Sequence, residues 1–458
     1  MLAGFAEREY TPAEGMVPGQ IKFGYAKGKR TPLMAHVAVM ESNGKGAVLV
    51  SLDILFVSVD FAAKVRARIS AVTGYPIDHI MIACSHTHTG CAIDLDCWEF
   101  KGKPEYLDPV EDAIMAALNS AMASRREVKM GIATGFDARF NFCRDFYTTD
   151  GYLVMNPGHK NASKLVKPFA AVDHTVNVMR FDDLDGKTRC LIVNYANHLD
   201  TGGGPKENSF SADFAGYMRL ALQREYGEDV TVLFLNGCCA NVNHFDYKYG
   251  SDRVGHCREG AAPSVEIGEG LAETVKNITP PLVTAEGEHH IQGKSQMHVT
   301  AHRSATREQR EWAKNFKQSN VTPKTDMELR SVLLAELYDT DQDALPKAVD
   351  LELQVLQIGP WTIVGIPGEV YSNIGLRIKA NSPFANTVVV ELANGTNGYM
   401  SPDMVQESGC YEGIYSNVAY TGHGTERVLI DGATNMLNAL YEIDNTVSFG
   451  GFRNKNPY

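Results

Sequence analysis

The stretch that decides the fold is Ile80-Met81-Ile82-Ala83-Cys84-Ser85-His86-Thr87-His88-Thr89-Gly90. An apolar run leads into two histidines two positions apart, and a glycine follows. If the run is a β-strand, alternate residues point to the same face, so both imidazoles leave the sheet together. Neutral imidazole is a common zinc ligand, and two of them at a strand end provide half of a metal site. The plainer interpretation is a pair of polar residues at the edge of a loop.

The segments before this stretch predict a β-α-β unit. Residues 37–40 and 47–53 have the pattern of strands, and the Ser42-Asn43-Gly44 segment between them has the chemistry of a hairpin turn. Residues 60–71 have the pattern of a helix that Asp60 caps. The helix returns the chain to the strand at 80–84, which is therefore expected to run parallel to its predecessor.

The two histidines would lie at the edge of this sheet where ligands bind. In open α/β sheets, ligands occupy the crevice beyond the carboxyl ends of the strands. Asp53 ends the neighbouring predicted strand and is expected at the same edge. It is therefore a candidate partner of the histidines or of a bound substrate.

Further apolar runs alternate with helical patterns along the rest of the chain. Strands that alternate with helices predict an α/β fold, here with a mixed, mostly parallel sheet core flanked by helices. From about residue 286 to 350 the pattern changes, because capping-box sequences at Thr306 and Thr325 begin two helices after a strand-like run. We expect one catalytic domain over residues 1–458, with an inserted helical and strand flap at about 286–350.

The composition predicts a globular protein that acts on a small molecule. The net charge of −12 and the pI of about 5.6 argue against nucleic acid or an anionic membrane as the partner. The amino terminus lacks the features of a signal peptide, and no apolar run approaches the length of a spanning helix. Nine cysteines without a paired framework suit a reducing cytoplasm. We expect a cytoplasmic protein with a small polar substrate and no membrane insertion. The sequence is compatible with a homo-oligomer.

Four separate segments present a metal-type donor close to the end of a predicted strand. They carry His86 with His88, then His198, Glu369 and Tyr399. Histidines, a carboxylate and one further donor form the kind of site that zinc favours in catalysis, with a position left for water. Zinc lowers the pKa of that water to about 7, so attack on a carbonyl group becomes feasible at neutral pH.

These segments belong to a series of motifs that resembles a known family. The motifs are Ser85-His86-Thr87-His88-Thr89-Gly90, Asn194-Tyr195-Ala196-Asn197-His198, Phe210-Ser211-Ala212-Asp213, Leu235-Asn236-Gly237-Cys238, Ile366-Pro367-Gly368-Glu369, Gly398-Tyr399 and Tyr411-Glu412-Gly413. In this order they resemble the catalytic domain of the neutral/alkaline non-lysosomal ceramidases, and more closely the smaller bacterial relatives of unassigned substrate. The resemblance runs from Ala35 to about Ser416.

The resemblance implies a ligand set for one zinc ion per chain. Carried over motif by motif, the ligands are His86, His198, Glu369 and Tyr399. It also implies that His88 handles protons or holds substrate beside the metal.

Two further residues gain a role from the same resemblance. Arg144 matches the family's arginine in an Asn-X-X-Arg setting and would hold a carbonyl or hydroxyl oxygen. Tyr411 would assist in stabilising the oxyanion.

The sequence also departs from the family. Asn243 stands where the ceramidases have a serine beside the metal, which makes it the candidate catalytic residue at that position. Asn141, Asp200 and Asn241, with Asp53, are candidates for binding a polar substrate. The family's secretion signal and C-terminal immunoglobulin-like domain are not expected in this chain. We therefore expect that the metal is kept and the substrate is changed.

Three functions remain open from the sequence. The first is zinc-dependent hydrolysis of an amide or N-acyl bond in a small soluble substrate. The second is a zinc-dependent enzyme that acts on a carbohydrate, by glycoside cleavage or elimination. The third is a metal-binding protein without catalytic activity, for which the replaced serine is the best argument.

Overall fold

The computed structural model describes residues 1–17, 24–97, 101–201, 209–247, 262–279, 284–287, 289–319, 321–322 and 326–449. The strands are β1 (Leu2–Glu9), β2 (Glu14–Val17), β3 (Gly24–Lys27), β4 (Met34–Ser42), β5 (Lys45–Leu52), β6 (Ile80–Cys84), β7 (Arg126–Phe136), β8 (Phe142–Cys143), β9 (Asp145–Thr148), β10 (Leu153–Met155), β11 (Leu165–Pro168), β12 (Thr175–Asp183), β13 (Thr188–Tyr195), β14 (Thr231–Asn236), β15 (Val242–Asn243), β16 (Ile291–Ala301), β17 (Ala348–Ile358), β18 (Trp361–Gly365), β19 (Glu369–Val370), β20 (Thr387–Val390) and β21 (Tyr399–Met400). The helices are α1 (Val59–Thr73), α2 (Asp108–Ala123), α3 (Asp213–Tyr226), α4 (Pro263–Ile278), α5 (Arg307–Gln318), α6 (Asp326–Tyr338), α7 (Ser372–Asn381), α8 (Asp403–Ser408) and α9 (Thr425–Phe449).

Within the described residues, eight strands form the largest sheet, in the order β14-β13-β12-β7-β1-β4-β5-β6. The pairs β5–β6 and β13–β14 are parallel, and the other five neighbouring pairs are antiparallel. The predicted mixed α/β fold with flanking helices is confirmed, but the prediction that the sheet is mostly parallel is wrong. The reason is that each parallel pair lies at an edge, and the five pairs between them are antiparallel, most of them between strands that are distant in the sequence.

The predicted β-α-β unit is present with the expected parallel register. Val48 pairs with Ile80 and Leu52 with Cys84, across the connection made by α1. Ser58, rather than Asp60, caps α1, because its side chain accepts the backbone N–H of Phe61.

A second sheet packs face to face against the first. Its order over the described strands is β16-β17-β18-β20. One buried cluster joins the two sheets and includes Leu49 and Met81 from the first sheet and Leu356 and Ile363 from the second. Helices α1 to α4 cover the outer face of the first sheet, and α7 and α9 cover that of the second. The layers are therefore helices, sheet, sheet, helices.

The segment from 286 to 350 contributes both a strand and a helical hairpin. Strand β16 pairs antiparallel with β17 from Ile291 to Ala301, so it belongs to the second sheet. Between these strands α5 and α6 pack against each other. The capping box predicted at Thr306 is present, with Gln309 as its partner, whereas Thr325 lies outside the described residues. That this segment is an insertion into a single domain stays a prediction.

No helix in the described part of the chain is both long enough and apolar enough to span a membrane.

Candidate active site

The His86–His88 segment follows β6 in a constrained turn. His86 has a φ of 73°, in the left-handed region that non-glycine residues rarely adopt. Its backbone N–H donates to the carbonyl of Ile54 at 3.0 Å, and the N–H of His88 donates to the carbonyl of Leu199 at 2.9 Å. Such backbone conformations persist where the surroundings hold them, and they are frequent at functional sites. The turn therefore fixes both histidines beside the segment that carries His198.

The orientation of two imidazole rings is set by backbone carbonyls. His86 Nδ1 donates to the carbonyl of Leu55 at 3.2 Å, and His198 Nδ1 donates to that of Cys239 at 2.9 Å. Each ring then presents the lone pair of its Nε2 atom, and the two Nε2 atoms lie 3.3 Å apart. Two lone pairs at this distance repel each other unless a proton or a cation lies between them. Hydrogen bonds of this kind at Nδ1 are typical of metal-binding histidines.

Glu369 and Tyr399 are adjacent because their strands pair in register. Strands β19 and β21 are parallel, and Glu369 is the partner of Tyr399. Glu369 Oε2 lies 3.4 Å from His86 Nε2 and 3.8 Å from His198 Nε2. This oxygen is buried without a hydrogen-bond partner, which is costly for a carboxylate that has no cation beside it.

Burial and neighbouring charges shift the pKa values of Glu369, His86 and His198. Burial raises the pKa of Glu369, but His86 outweighs burial and, with a hydrogen bond from Tyr399, lowers it. Burial lowers the pKa of His86, but the Glu369 carboxylate outweighs it and raises the pKa. For His198, burial together with the charge of Arg144 holds the pKa well below its usual range. His198 is therefore neutral, as a metal ligand must be.

The donor set passes a simple geometric test for zinc. Ligands about 2.0–2.1 Å from a tetrahedral zinc ion lie about 3.3–3.4 Å from one another. The His86–His198 and His86–His88 Nε2 distances are both 3.3 Å, and the distance from His86 to Glu369 is 3.4 Å. Among the described side chains, His86, His88 and His198 form a group that could hold a metal ion. Glu369 Oε2 is 3.8 Å from His198 Nε2, which is longer than this spacing. The distances around His86 Nε2 fit a zinc ion, and they accommodate His88 as a ligand.

Arg144 lies against this centre and is held by a buried carboxylate. Its Nε and NH2 atoms are 2.8 and 2.7 Å from Glu412 Oε1. Its NH1 atom is 3.2 Å from His198 Nε2, and its NH2 atom donates to the Tyr399 hydroxyl at 3.3 Å. The guanidinium group thus contacts two of the predicted ligands.

A second acidic group lies behind Arg144. Asp145, Cys410 and Glu412 are buried, with donor atoms within 4.8 Å of one another. Burial and then the charge of Glu412 hold the pKa of Asp145 well above its usual range, and the Tyr371 hydroxyl donates to it at 2.7 Å. The raised pKa of Asp145 reduces the negative charge beside Glu412, and Glu412 makes the ion pair with Arg144.

Tyr411 lies near the centre, whereas Asn243 has other partners. The ring of Tyr411 is 5.7 Å from that of Tyr399, centroid to centroid. The amide of Asn243 donates to Asn156 at 2.6 Å, and its oxygen accepts the N–H of Phe245 at 2.9 Å. Both ends of the Asn243 side chain therefore hold the loop, which gives no support to its predicted catalytic role.

The structure does not bring Asn141 or Asn241 to the centre as substrate-binding residues. The Asn141 amide is fully buried, donates to two backbone carbonyls and accepts from His174. Asn241 is also fully buried, and its side-chain oxygen accepts the N–H of Ser372 at 2.8 Å. The Asn241 nitrogen donates to Cys143 Sγ at 3.7 Å, so every polar atom of both side chains has a partner within the protein.

Asp53 and Asp200, the other two predicted substrate-binding residues, differ in how accessible their carboxylates are to solvent. Asp53 is buried, binds Arg219 at 2.8 Å and accepts the N–H of Met34, so its carboxylate ties the framework together. Asp200 lies 3.0 Å from His244 Nδ1 and its side chain is 34% exposed. Of the predicted substrate-binding residues, Asp200 is the one that solvent reaches.

Two buried glutamates at the site were not assigned a role from the sequence. Glu412 holds Arg144, and its position directly after Tyr411 in the last motif was the signal that could have found it. Glu391 accepts the Cys239 thiol at 2.8 Å and the backbone N–H of Val370 at 2.9 Å. It follows the buried strand β20, as the other site residues follow strands. Burial raises the pKa of Glu391 to about 7.

Solved structures share this arrangement of layers over nearly the whole chain. The neutral ceramidase from Pseudomonas aeruginosa matches with a TM-score of 0.71 and 18% identity, covering 96% of this chain and 74% of that one. The chain has the fold of the neutral ceramidases. A ceramidase complexed with C2 matches similarly, with a TM-score of 0.70 and 17% identity over 96% of this chain and 75% of the other.

The resemblance predicted from the motifs is thus confirmed at the level of the ceramidase fold. No model of a protein family matches the sequence, and no curated protein matches it. The four segments that carry His86, His198, Glu369 and Tyr399 converge within this fold, as the motifs predicted.

Proposed function

We propose that the protein is a zinc-dependent hydrolase that cleaves an amide or N-acyl bond in a small polar substrate. The observation that carries the proposal is the buried Glu369 Oε2, which has no hydrogen-bond partner and lies 3.4 Å from His86 Nε2 and 3.8 Å from His198 Nε2. Those two Nε2 atoms are themselves 3.3 Å apart, the spacing of zinc ligands. The ceramidase fold supports the choice of bond, because the similar proteins are named for their action on ceramide, an N-acyl lipid. The cytoplasmic location expected from the cysteines is part of the same proposal.

His86, His198, Glu369 and Tyr399 would hold the ion. When bound, zinc supplies Lewis acidity, which lowers the pKa of a water molecule and polarises a carbonyl group. Glu369 and the neutral imidazole of His198 suit this task, because a carboxylate and imidazoles leave a zinc ion with net positive charge.

His88 would move the proton. Its side chain is only partly buried, and its Nε2 lies 3.3 Å from that of His86. Hydrolysis of an amide needs a group that accepts a proton from water and delivers it to the departing nitrogen. His88 is near enough to the centre for both transfers.

Arg144 and Tyr411 would stabilise the charge that develops on the carbonyl oxygen. The guanidinium of Arg144 is held by Glu412 before any substrate arrives, so little reorganisation accompanies the reaction. Burial raises the pKa of Tyr411 to about 12, against the opposing charge of Arg330. Its hydroxyl therefore keeps its proton at neutral pH and can donate to an oxyanion.

The test is hydrolysis by zinc-loaded and chelator-treated protein. The panel is N-acyl amino acids, N-acyl sugars, a short-chain ceramide and aryl glycosides. We expect release of the acyl group from at least one N-acyl compound, loss of activity after chelation and recovery with zinc. Cleavage of glycosides alone would contradict the proposal in favour of a carbohydrate-acting enzyme. No hydrolysis of the panel by protein that contains zinc would contradict it in favour of a non-catalytic metal-binding protein.

A further inference from the structure

The backbone segment that orients His198 is joined directly to the segment that carries Glu369. The carbonyl of Cys239 accepts the Nδ1–H of His198 at 2.9 Å. The backbone N–H of Ala240, the next residue, donates to the carbonyl of Val370 at 3.0 Å. Val370 directly follows Glu369. A shift of either segment would therefore change the distance between the His198 imidazole and the Glu369 carboxylate.

Glu391 is fully buried, and its carboxylate binds both of these segments. Its Oε2 atom accepts the backbone N–H of Val370 at 2.9 Å and that of Cys239 at 3.0 Å. Its Oε1 atom accepts the Cys239 thiol at 2.8 Å. One carboxylate thus satisfies three buried donors, and each of them would destabilise the fold if it were left without an acceptor.

The backbone around Glu391 is itself fixed to the same part of the fold. Its N–H donates to the carbonyl of Asn236, at the end of β14, at 3.1 Å. The N–H of Leu392 donates to the carbonyl of Gly368 at 3.1 Å. Asn236 and Gly368 lie just before the two segments in the chain. The Glu391 side chain therefore starts from a fixed backbone, and its oxygens have a fixed position relative to both segments.

We propose that Glu391 is a positioning residue that holds His198 and Glu369 at the spacing of metal ligands before the ion binds. This inference rests on the proposed function, because it concerns the same zinc site. Groups that orient metal ligands through hydrogen bonds contribute to metal affinity, and their substitution typically costs about 10- to 100-fold. Here Glu391 acts through the backbone of two segments, so the reach of its side chain matters more than its charge.

Two substitutions of Glu391 separate the reach of the side chain from its charge. In Glu391→Gln the amide oxygen can still accept both backbone N–H groups, although the charge is lost. In Glu391→Asp the charge stays, but the side chain is one carbon shorter and cannot bind both segments at hydrogen-bond distance. The affinity for zinc is measured by competition with a chromogenic chelator. We expect it to fall about 10- to 100-fold in Glu391→Asp and by a smaller factor in Glu391→Gln.

Cobalt(II) in place of zinc reports the ligand geometry, because its visible absorption depends on the number and arrangement of the ligands. The cobalt spectrum of Glu391→Asp should differ from that of the wild type, and the spectrum of Glu391→Gln should lie closer to it. Leu118→Ala is the control for a loss of stability alone. Leu118 is fully buried on α2, which carries none of the predicted ligands, so the substitution destabilises the fold by leaving a cavity. Its zinc affinity and cobalt spectrum should equal those of the wild type.

The outcomes separate this inference from the proposed function. Wild-type zinc affinity in Glu391→Asp, or weaker binding by Glu391→Gln than by Glu391→Asp, would overturn the inference and leave the proposed function standing.

Hydrogen exchange in the zinc-free wild type decides the inference even if Glu391→Asp does not fold. The N–H groups of Cys239 and Val370 should be protected from exchange before zinc is added. Protection that appears only with zinc would overturn the inference. Absence of zinc binding by the wild type would instead contradict the proposed function, whereas protection of both N–H groups would still support the fixed position of the two segments.

Discussion

At the scale of single residues, Arg144 is a buried cation whose position depends on Glu412. The two residues are far apart in the sequence, and no periodicity or spacing connects them. The motifs predicted Arg144 and the four ligands because each follows a strand or stands in a recognisable segment. They could not predict the pair, since a contact across the fold leaves no local pattern. Asn141 and Asn241 were predicted as substrate-binding residues because a sequence does not show which polar side chains already form hydrogen bonds with backbone groups.

We predict that Glu412→Gln lowers kcat/KM by about 10- to 100-fold, with zinc retained. The amide keeps the shape of the side chain but loses the charge-assisted hydrogen bonds to Arg144, and such bonds contribute about 1.5–3 kcal/mol. Steady-state kinetics on the best N-acyl substrate and metal analysis provide the measurement.

Glu352→Gln is the control for a loss of stability alone. Glu352, on β17, binds the buried Arg66 of α1 with contacts of 3.0 and 2.8 Å. Glu412→Gln removes one charge of a fully buried pair, which costs about 3–5 kcal/mol of folding free energy. Glu352→Gln removes one charge of a pair whose carboxylate is 20% exposed, so it should destabilise the fold in the same direction by less. An equal loss of activity in the two variants would mean that Glu412 acts only through stability.

At the scale of elements, the sequence predicted the local units and missed the centre of the sheet. The hairpin of β4 and β5, the helix α1 and the strand β6 follow from turn chemistry, capping and periodicity. Strand β1 was not predicted, because Leu2–Glu9 ends in charged residues and several of its side chains are not buried. Its position comes from pairing with β4 along its whole length. Long-range pairing of this kind also determines that the sheet is mainly antiparallel.

Gly398, directly before β21, should not tolerate substitution, because β21 pairs with β19 and carries Tyr399. Gly398 has a φ of 72°, and a methyl group there would overlap the backbone carbonyl of Val418. Gly398→Ala should therefore displace Tyr399 and weaken zinc binding, in addition to the cost of about 1–2 kcal/mol for a left-handed alanine. Calorimetric titration with zinc and urea unfolding measure the two effects.

Gly151→Ala is the control, because it introduces a left-handed alanine without a steric overlap. Gly151 has a φ of 84°, and nothing lies within 4 Å of the position that its methyl group would take. Gly151→Ala should lose stability with unchanged zinc affinity. If both variants bind zinc like the wild type, the pairing of β19 and β21 does not position the ligands.

At the scale of the whole molecule, a buried ionic network joins separate elements of the large sheet. His36 on β4 contacts Glu7 on β1 at 3.1 Å and Arg219 on α3 at 3.1 Å, and Arg219 binds Asp53 after β5. Burial lowers the pKa of His36, but Asp53 and Glu7 outweigh it and raise the pKa. Burial raises the pKa values of Glu7 and Asp53, but their hydrogen bonds and the positive charges of His36 and Arg219 lower them.

These directions predict how the stability of the network depends on pH. The raised pKa of His36 contributes stability that is full below the usual value of 6.5 and is lost as the pH rises through the folded-state value. The lowered pKa values of Glu7 and Asp53 contribute stability that is full above the usual values of 4.5 and 3.8 and is lost as the pH falls. The difference in unfolding free energy between the wild type and His36→Asn should therefore be larger at about pH 5.5 than at about pH 8.5. Urea unfolding at both pH values measures it, and a difference that grows with pH would refute this account.

The zinc content of three proteins tests the central claim most directly. It is measured per chain in the wild type, His86→Ala and His88→Ala after equilibration with zinc and removal of the excess. The account predicts one zinc ion per chain in the wild type, almost none in His86→Ala, and retained zinc with lost hydrolysis in His88→Ala. A full complement of zinc in His86→Ala would contradict it.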